Sequence, residues 1–77
     1  MSDELEQGKA AQPAKRFRVG YVTAAVWAND THYSVTLQKA YKDGDQWKNT
    51  ESLGHGDLLN AAKALERAEI FIAAHPK

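Results

Sequence analysis

The chain has 77 residues, 43% hydrophobic and 26% charged, with ten Lys and Arg against ten Asp and Glu. That is the length of one small domain and the composition of a globular one, which excludes multidomain, collagenous, disordered and membrane-spanning classes. Cysteine is absent, so disulfides, thiolate zinc sites and thiol catalysis are excluded, and a cytoplasmic location is expected.

Residues 1–14, MSDELEQGKAAQPA, carry one large aliphatic side chain after Met1, together with Gly8 and Pro13. Such a segment buries too little apolar surface to offset its ordering entropy, so it is expected to be a mobile tail, with no apolar centre of the kind a signal peptide needs. The remainder, residues 15–77, is expected to form one β-β-β-α domain.

From Arg16, RFRVGYVTAAVWA is rich in β-branched and aromatic residues and alternates as a half-buried strand does. The apolar phase shifts at Gly20, from odd-numbered Phe17 and Val19 to even-numbered Val22, Ala24 and Val26. A bulge or bend is expected there, and a break into two segments would make the sheet four-stranded. Ala28-Asn29-Asp30-Thr31 supplies turn chemistry. It also satisfies a glycosylation sequon, which without a secretion signal reads as a hairpin turn.

The second strand, HYSVTLQKAY, places Tyr33, Val35 and Leu37 on one face and His32, Ser34, Thr36 and Gln38 on the other. Asp43-Gly44 is the strongest hairpin signal in the chain, and a third strand, QWKNTESL, is expected to return antiparallel. A two-residue loop pairs Ala40 with Trp47, and a bulged three-residue loop pairs Tyr41 with Trp47 and Val35 with Leu53. The bulged register is preferred because it keeps the apolar residues on one face.

After Gly54-His55-Gly56, Asp57 is a fair N-cap, and DLLNAAKALERAEIFIAAH continues without proline to Pro76. Leu58, Ala61, Ala62, Leu65, Ala68 and Ile72 recur at helical spacing. The expected fold is α+β: a three- to four-stranded antiparallel sheet followed by one C-terminal amphipathic helix packed on one face. Its core is Val22, Ala24, Val26, Tyr33, Val35, Leu37, Leu53, Leu58, Ala62, Leu65 and Ile72. A unit of about 60 residues buries only about 60% of its unfolded surface and is marginal alone. Surplus apolar helix positions at Ile70 and Phe71, with Ala74 beside them, therefore suggest a homodimer.

Charge is unevenly spread. Residues 1–14 hold one Lys against three acids, residues 15–50 six bases against three acids, and residues 51–77 three bases against four acids. The sheet is the basic part. Neutral net charge argues against nonspecific coating of DNA, yet a local basic surface tracks phosphates, and solvent-facing aromatics stack unpaired bases. The expected wet face holds Thr23, Trp27, His32, Ser34, Thr36, Gln38, Lys48, Thr50 and Ser52.

The three histidines are scattered, without the spacing or carboxylates of a metal site, so no metal and no cofactor are expected. Gly54-His55-Gly56-Asp57 lacks the further glycine and lysine of a phosphate loop. No nucleophile, base and orienting acid can be assembled, so no enzyme is expected.

The stretch RVGYVTAAVWAND through DLLNAAKALERAEIFI resembles small bacterial and archaeal proteins with a strand ending in Trp, a YKDG-type hairpin followed by WK, and a DLL-AAK helix, a pattern that carries no established activity. At fold level the order of strands and helix is similar to the positive cofactor four and Whirly group of single-stranded-DNA-binding proteins. This second resemblance implies a homodimer that holds single-stranded nucleic acid on strand-borne basic and aromatic residues, here Arg16, Arg18, Tyr21, Trp27, Lys39 and Lys48. The alternative is a protein-interaction module that receives a partner on the sheet face or edge.

Overall fold

The computed structural model describes residues 12–76. It contains β1 (Lys15–Val19), β2 (Val22–Ala28), β3 (Tyr33–Asp43) and β4 (Gln46–Thr50), then a 3-10 turn (His55–Asp57) and helix α1 (Leu58–Ala74). The strands form one antiparallel sheet in the order β1-β2-β3-β4, and α1 packs on one side of it, the expected α+β architecture. Most of the segment read as a tail, residues 1–11, lies outside the described residues. Ala14, just before β1, is tied to the sheet, its N–H donating to the Val26 carbonyl at 2.7 Å.

Gly20 is a turn rather than a bulge. It has φ +63° and sits first in the two-residue loop Gly20-Tyr21, which closes a hairpin pairing Val19 with Val22. A glycine of positive φ at that position is the signature of the type II′ hairpin turn. The phase shift in the sequence therefore separates two strands, and odd positions of β1 share a face with even positions of β2. An added Cβ at Gly20 would lie 2.6 Å from Asn60 Nδ2 on the helix. The side chain there can move aside, but the backbone cannot, because L-residues disfavour this conformation by about 1–2 kcal/mol. Gly20→Ala is expected to lower unfolding free energy by about that amount, read from the midpoint of urea denaturation.

The β3–β4 register differs from both expected registers. Gly44, with φ +65°, takes the first position of the loop Gly44-Asp45, and Asp43 pairs with Gln46, Lys42 with Trp47 and Tyr41 with Lys48. The strand ends at Thr50, so no pairing of Val35 with Leu53 forms. A slip of one residue turns every β4 side chain to the other face. Trp47 and Asn49 consequently lie on the side away from the helix, and Lys48 and Thr50 on the helix side. Burial does not set the register here because α1 packs on β1 and β2 and scarcely reaches β3; the turn sets it.

The core is smaller than expected and made of smaller residues. Val22, Ala24 and Val26 of β2 are fully buried, Ala24 and Val26 in one cluster with Ala64 and Ala68 of α1, and Ala61 of α1 is buried as well. Phe17, Val19, Tyr33, Leu37, Phe71 and Ile72 close around Ala24, Val26, Ala64 and Ala68. The packed stripe of the helix is thus its alanine side, rotated from the leucine-bearing one, and Leu58 and Leu65 remain exposed. Alanine lets the helix axis approach the sheet closely, as packing at interior density requires. Phe71 turns inward, edge-on to Phe17 at 6.0 Å and to Tyr33 at 6.4 Å. It is therefore not surplus surface, whereas Ile70 and Ala74 beside it are exposed. The helix end is tied to the sheet by Tyr33, whose hydroxyl donates to the His75 carbonyl at 2.6 Å.

Candidate nucleic-acid interface

Strand alternation and the observed registers fix what the side of the sheet opposite α1 presents. Across it run the rows Arg16–Ala25–Thr36, Arg18–Thr23–Gln38 and Trp27–Ser34, with Lys42 opposite Trp47 and Ala40 opposite Asn49. The cations Arg16, Arg18 and Lys42 stand on this face, and none of its strand residues is Asp or Glu.

The Gly20-Tyr21 turn extends this surface. The Ala40 N–H donates to the Tyr21 carbonyl at 2.8 Å, so the turn continues the β2–β3 pairing by one step. That places the Tyr21 ring beside Trp47, the two stacked with centroids 5.7 Å apart and planes 28° from parallel. On the other side of Tyr21 the Arg18 guanidinium lies 5.7 Å from the ring centroid, while its Nε donates to the Gly20 carbonyl at 2.9 Å. Arg18, Tyr21 and Trp47 form a continuous stack at one end of the face. Both rings are more than half exposed, Tyr21 at 53% and Trp47 at 58%. Exposed aromatic rings joined to a guanidinium make a cation–π platform that a flat polar ring can extend.

Trp27 lies toward the opposite end, six residues along β2 from Tyr21 and hence about 20 Å away. It is half-buried and donates from Nε1 to Thr36 Oγ1 at 2.9 Å. That bond turns its indole back along the sheet toward the Ala25–Thr36 pair, and Ala25 is buried. Hydroxyl and amide side chains of Thr23, Thr36 and Gln38 occupy the ground between the aromatic ends.

Of the residues expected to form the site, Arg16, Arg18, Tyr21 and Trp27 share this face, and Lys39 and Lys48 do not. Lys39 shares the phase of Val35 and Leu37, pairs with Val22 across the sheet, and binds Asp57 through Nζ at 2.7 Å. Lys48 lies on the same helix side through the register of β4 and pairs with Asp43 at 3.0 Å. Each is neutralised by a carboxylate on the wrong side of the sheet for the proposed surface. Their places are taken by Lys42 and by Trp47, the second of which the expected register turned to the other side. The usable signal was Gly44: a positive-φ residue opening a two-residue loop dictates the pairing observed. Among the described residues no ion pair involves Arg16, Arg18 or Lys42.

Asp57 does not cap α1 with its side chain. Its Oδ2 instead accepts from Lys39 Nζ and from the Gly54 N–H at 2.8 Å, fastening the connector to β3. The Lys39 hydrogen bond above all, then the Gly54 bond, holds the Asp57 carboxyl below its ordinary value of 3.8, against a smaller opposing effect of desolvation. A carboxyl whose value is lowered on folding stabilises fully above its unfolded pKa, and that contribution is lost as pH falls through the lowered folded value. Acidification below about pH 4 is thus expected to cost the wild type stability that Asp57→Asn never had, so thermal melts of the two converge in acid. Melts that stay equally far apart from neutral to acid pH would show that this carboxylate contributes nothing.

Among the described residues no cluster of three or more His, Asp or Glu is suited to a metal ion, and no helix is long and apolar enough to cross a membrane. No family model matches the chain, and neither the curated proteins nor the solved structures include one similar to it, so the meaning of this face rests on its own residues.

Proposed function

We propose that the chain is a small homodimeric module that binds single-stranded nucleic acid on the sheet face opposite α1. One observation carries this: Arg18, Tyr21 and Trp47 form an exposed stack on a face that holds further cations at Arg16 and Lys42 and no strand-borne acid. Bases present flat aromatic faces that continue such a stack, and the phosphates between them meet the cations. A duplex hides those faces within its own stacking, which favours an unpaired strand. A span of about 20 Å between the aromatic ends suits a short segment of roughly four nucleotides, the lower end of single-strand site sizes. The polar side chains between the ends donate and accept without a fixed pattern, so binding is tolerant of sequence. We place this activity in the cytoplasm, since a chain without cysteine needs no oxidising compartment.

Titration of labelled single-stranded oligonucleotides at low and moderate salt tests the reading. Binding is expected to weaken with salt, with a log–log slope near −2 for about three neutralised phosphates. Absence of binding at low salt, together with recovery of one stoichiometric protein partner after nuclease treatment, would replace this reading with a protein-interaction module on the same face.

A further inference from the structure

The side of the sheet that carries α1 is only half covered. Four strands spaced about 4.8 Å apart make a sheet about 19 Å wide, whereas a helix with its side chains is about 10 Å across. Here α1 lies over β1 and β2. The adjoining half, on β3 and β4, leaves Val35 and Tyr41 each 37% exposed. Between α1 and β3 runs an apolar groove of about 310 Å³, lined by Val35, Leu65, Ala68, Glu69, Ile72 and Ala73.

The helix has the complementary deficit. Because its alanine side meets the sheet, its leucines do not: Leu65 is 42% exposed and Leu59 is 84% exposed, with Leu58 and Ile70 also largely open. A bare half-sheet needs a second helix with outward apolar side chains, and the chain's own helix is one.

We infer that two copies associate about a two-fold axis so that the leucine-bearing side of each α1 covers the bare β3–β4 half of the other. This rests on the homodimer of the proposed function and names its surface, which is not the Ile70, Phe71 and Ala74 patch expected from sequence. An isologous interface requires one patch to hold both the projection and the hollow that receives it. Leu65 and the groove beside it meet that condition. Charge does not oppose this, since Lys48 and Asp43 on the bare half pair with each other and add no net acid to meet Glu66 and Glu69 of α1. Size agrees. The 16 residues of β3 and β4 and the 17 residues of α1 project roughly 250 and 260 Å². Accessible area exceeds projected area, which brings the patch near the ~800 Å² per partner of a stable interface. The two helices then form a middle layer between two sheets, and the open faces point outward on opposite sides. Each protomer binds its own strand.

Sedimentation equilibrium of the full chain is expected to give twice the 8.5 kDa chain mass. Val35→Lys with Leu65→Lys places a cation at two already exposed positions and is expected to weaken association roughly 100-fold or more, with the circular dichroism spectrum unchanged. Tyr41→Lys alone serves should that pair disturb the fold, and Trp47→Ala, on the other face, is expected to remain dimeric. A wild-type chain that stays monomeric across the concentration range, or a dimer untouched by all of the lysine variants, overturns the inference. Binding of an oligonucleotide of about 12 nucleotides is followed on the same samples. A monomeric lysine variant that keeps the per-chain affinity supports the outward-facing arrangement, and a dimer that forms as described yet binds no oligonucleotide supports this interface while removing the nucleic-acid reading.

Discussion

Replacing Tyr21 and Trp47 together by alanine is expected to weaken single-strand binding by roughly 10- to 100-fold, because it removes the open Trp47 face on which a base stacks, worth about 1–3 kcal/mol, together with the ring that positions it. Both rings are more than half exposed, so the loss falls on binding rather than on the core. The carbonyl of residue 21 still receives the Ala40 N–H after substitution, which preserves the turn. Arg18→Gln removes one cation and one end of the stack, and is expected to weaken binding about tenfold and to flatten the salt slope by about 0.7. The informative contrast is with the lysines of the other face. Lys39→Gln with Lys48→Gln removes two positive charges, yet these lie across the sheet and already face Asp57 and Asp43. Their joint effect is expected to stay within about threefold, the long-range share of the field. Fluorescence anisotropy at a fixed low salt separates the variants. An ordering in which the lysine pair outweighs the aromatic pair would move the ligand to the helix side of the sheet.

That contrast also shows what the residues alone disclose. The alternation of β3 is legible because one side of it is wet, and it correctly places Ser34, Thr36 and Gln38 opposite Val35 and Leu37. By the same alternation Lys39 goes with Val35 and Leu37, so grouping it with the outer face weighed its charge above its phase. The Asp43-Gly44 signal located a hairpin but not its register, because the burial criterion fails on a strand the helix does not cover. The turn geometry of Gly44 decides it, and with it the face of Trp47. Gly20 was visible as a break in phase, although phase alone does not separate a bend from a reversal. The helix itself was plain from spacing and from the absence of proline. Its rotation was not, because a count of apolar residues treats alanine and leucine as equals, and the choice between them depends on how near the sheet lies.

That rotation carries the second large expectation. Ala64→Leu is expected to cost about 1–3 kcal/mol or more, while Leu65→Ala next to it costs about 1 kcal/mol or less in the isolated chain. A scale that credits each buried leucine and penalises its loss gives the reverse order. Ala64 is fully buried in the cluster with Ala24 and Val26, with no space for added carbons unless the helix lifts from β2. Lifting it also separates Phe71 from Phe17 and Tyr33, so the strain spreads along the layer. A unit of this size has only about 3–10 kcal/mol of stability in total, which makes the larger cost a sizeable part of the whole. Urea denaturation at low protein concentration reads the two costs without association. If two chains associate as proposed, the penalty of Leu65→Ala is expected to grow with concentration while that of Ala64→Leu does not, because only the first side chain belongs to the proposed surface between copies. If Leu65→Ala is the costlier of the two at low concentration, the leucine side of the helix faces the sheet after all, and both the alanine packing and the interface built on its consequence fall together.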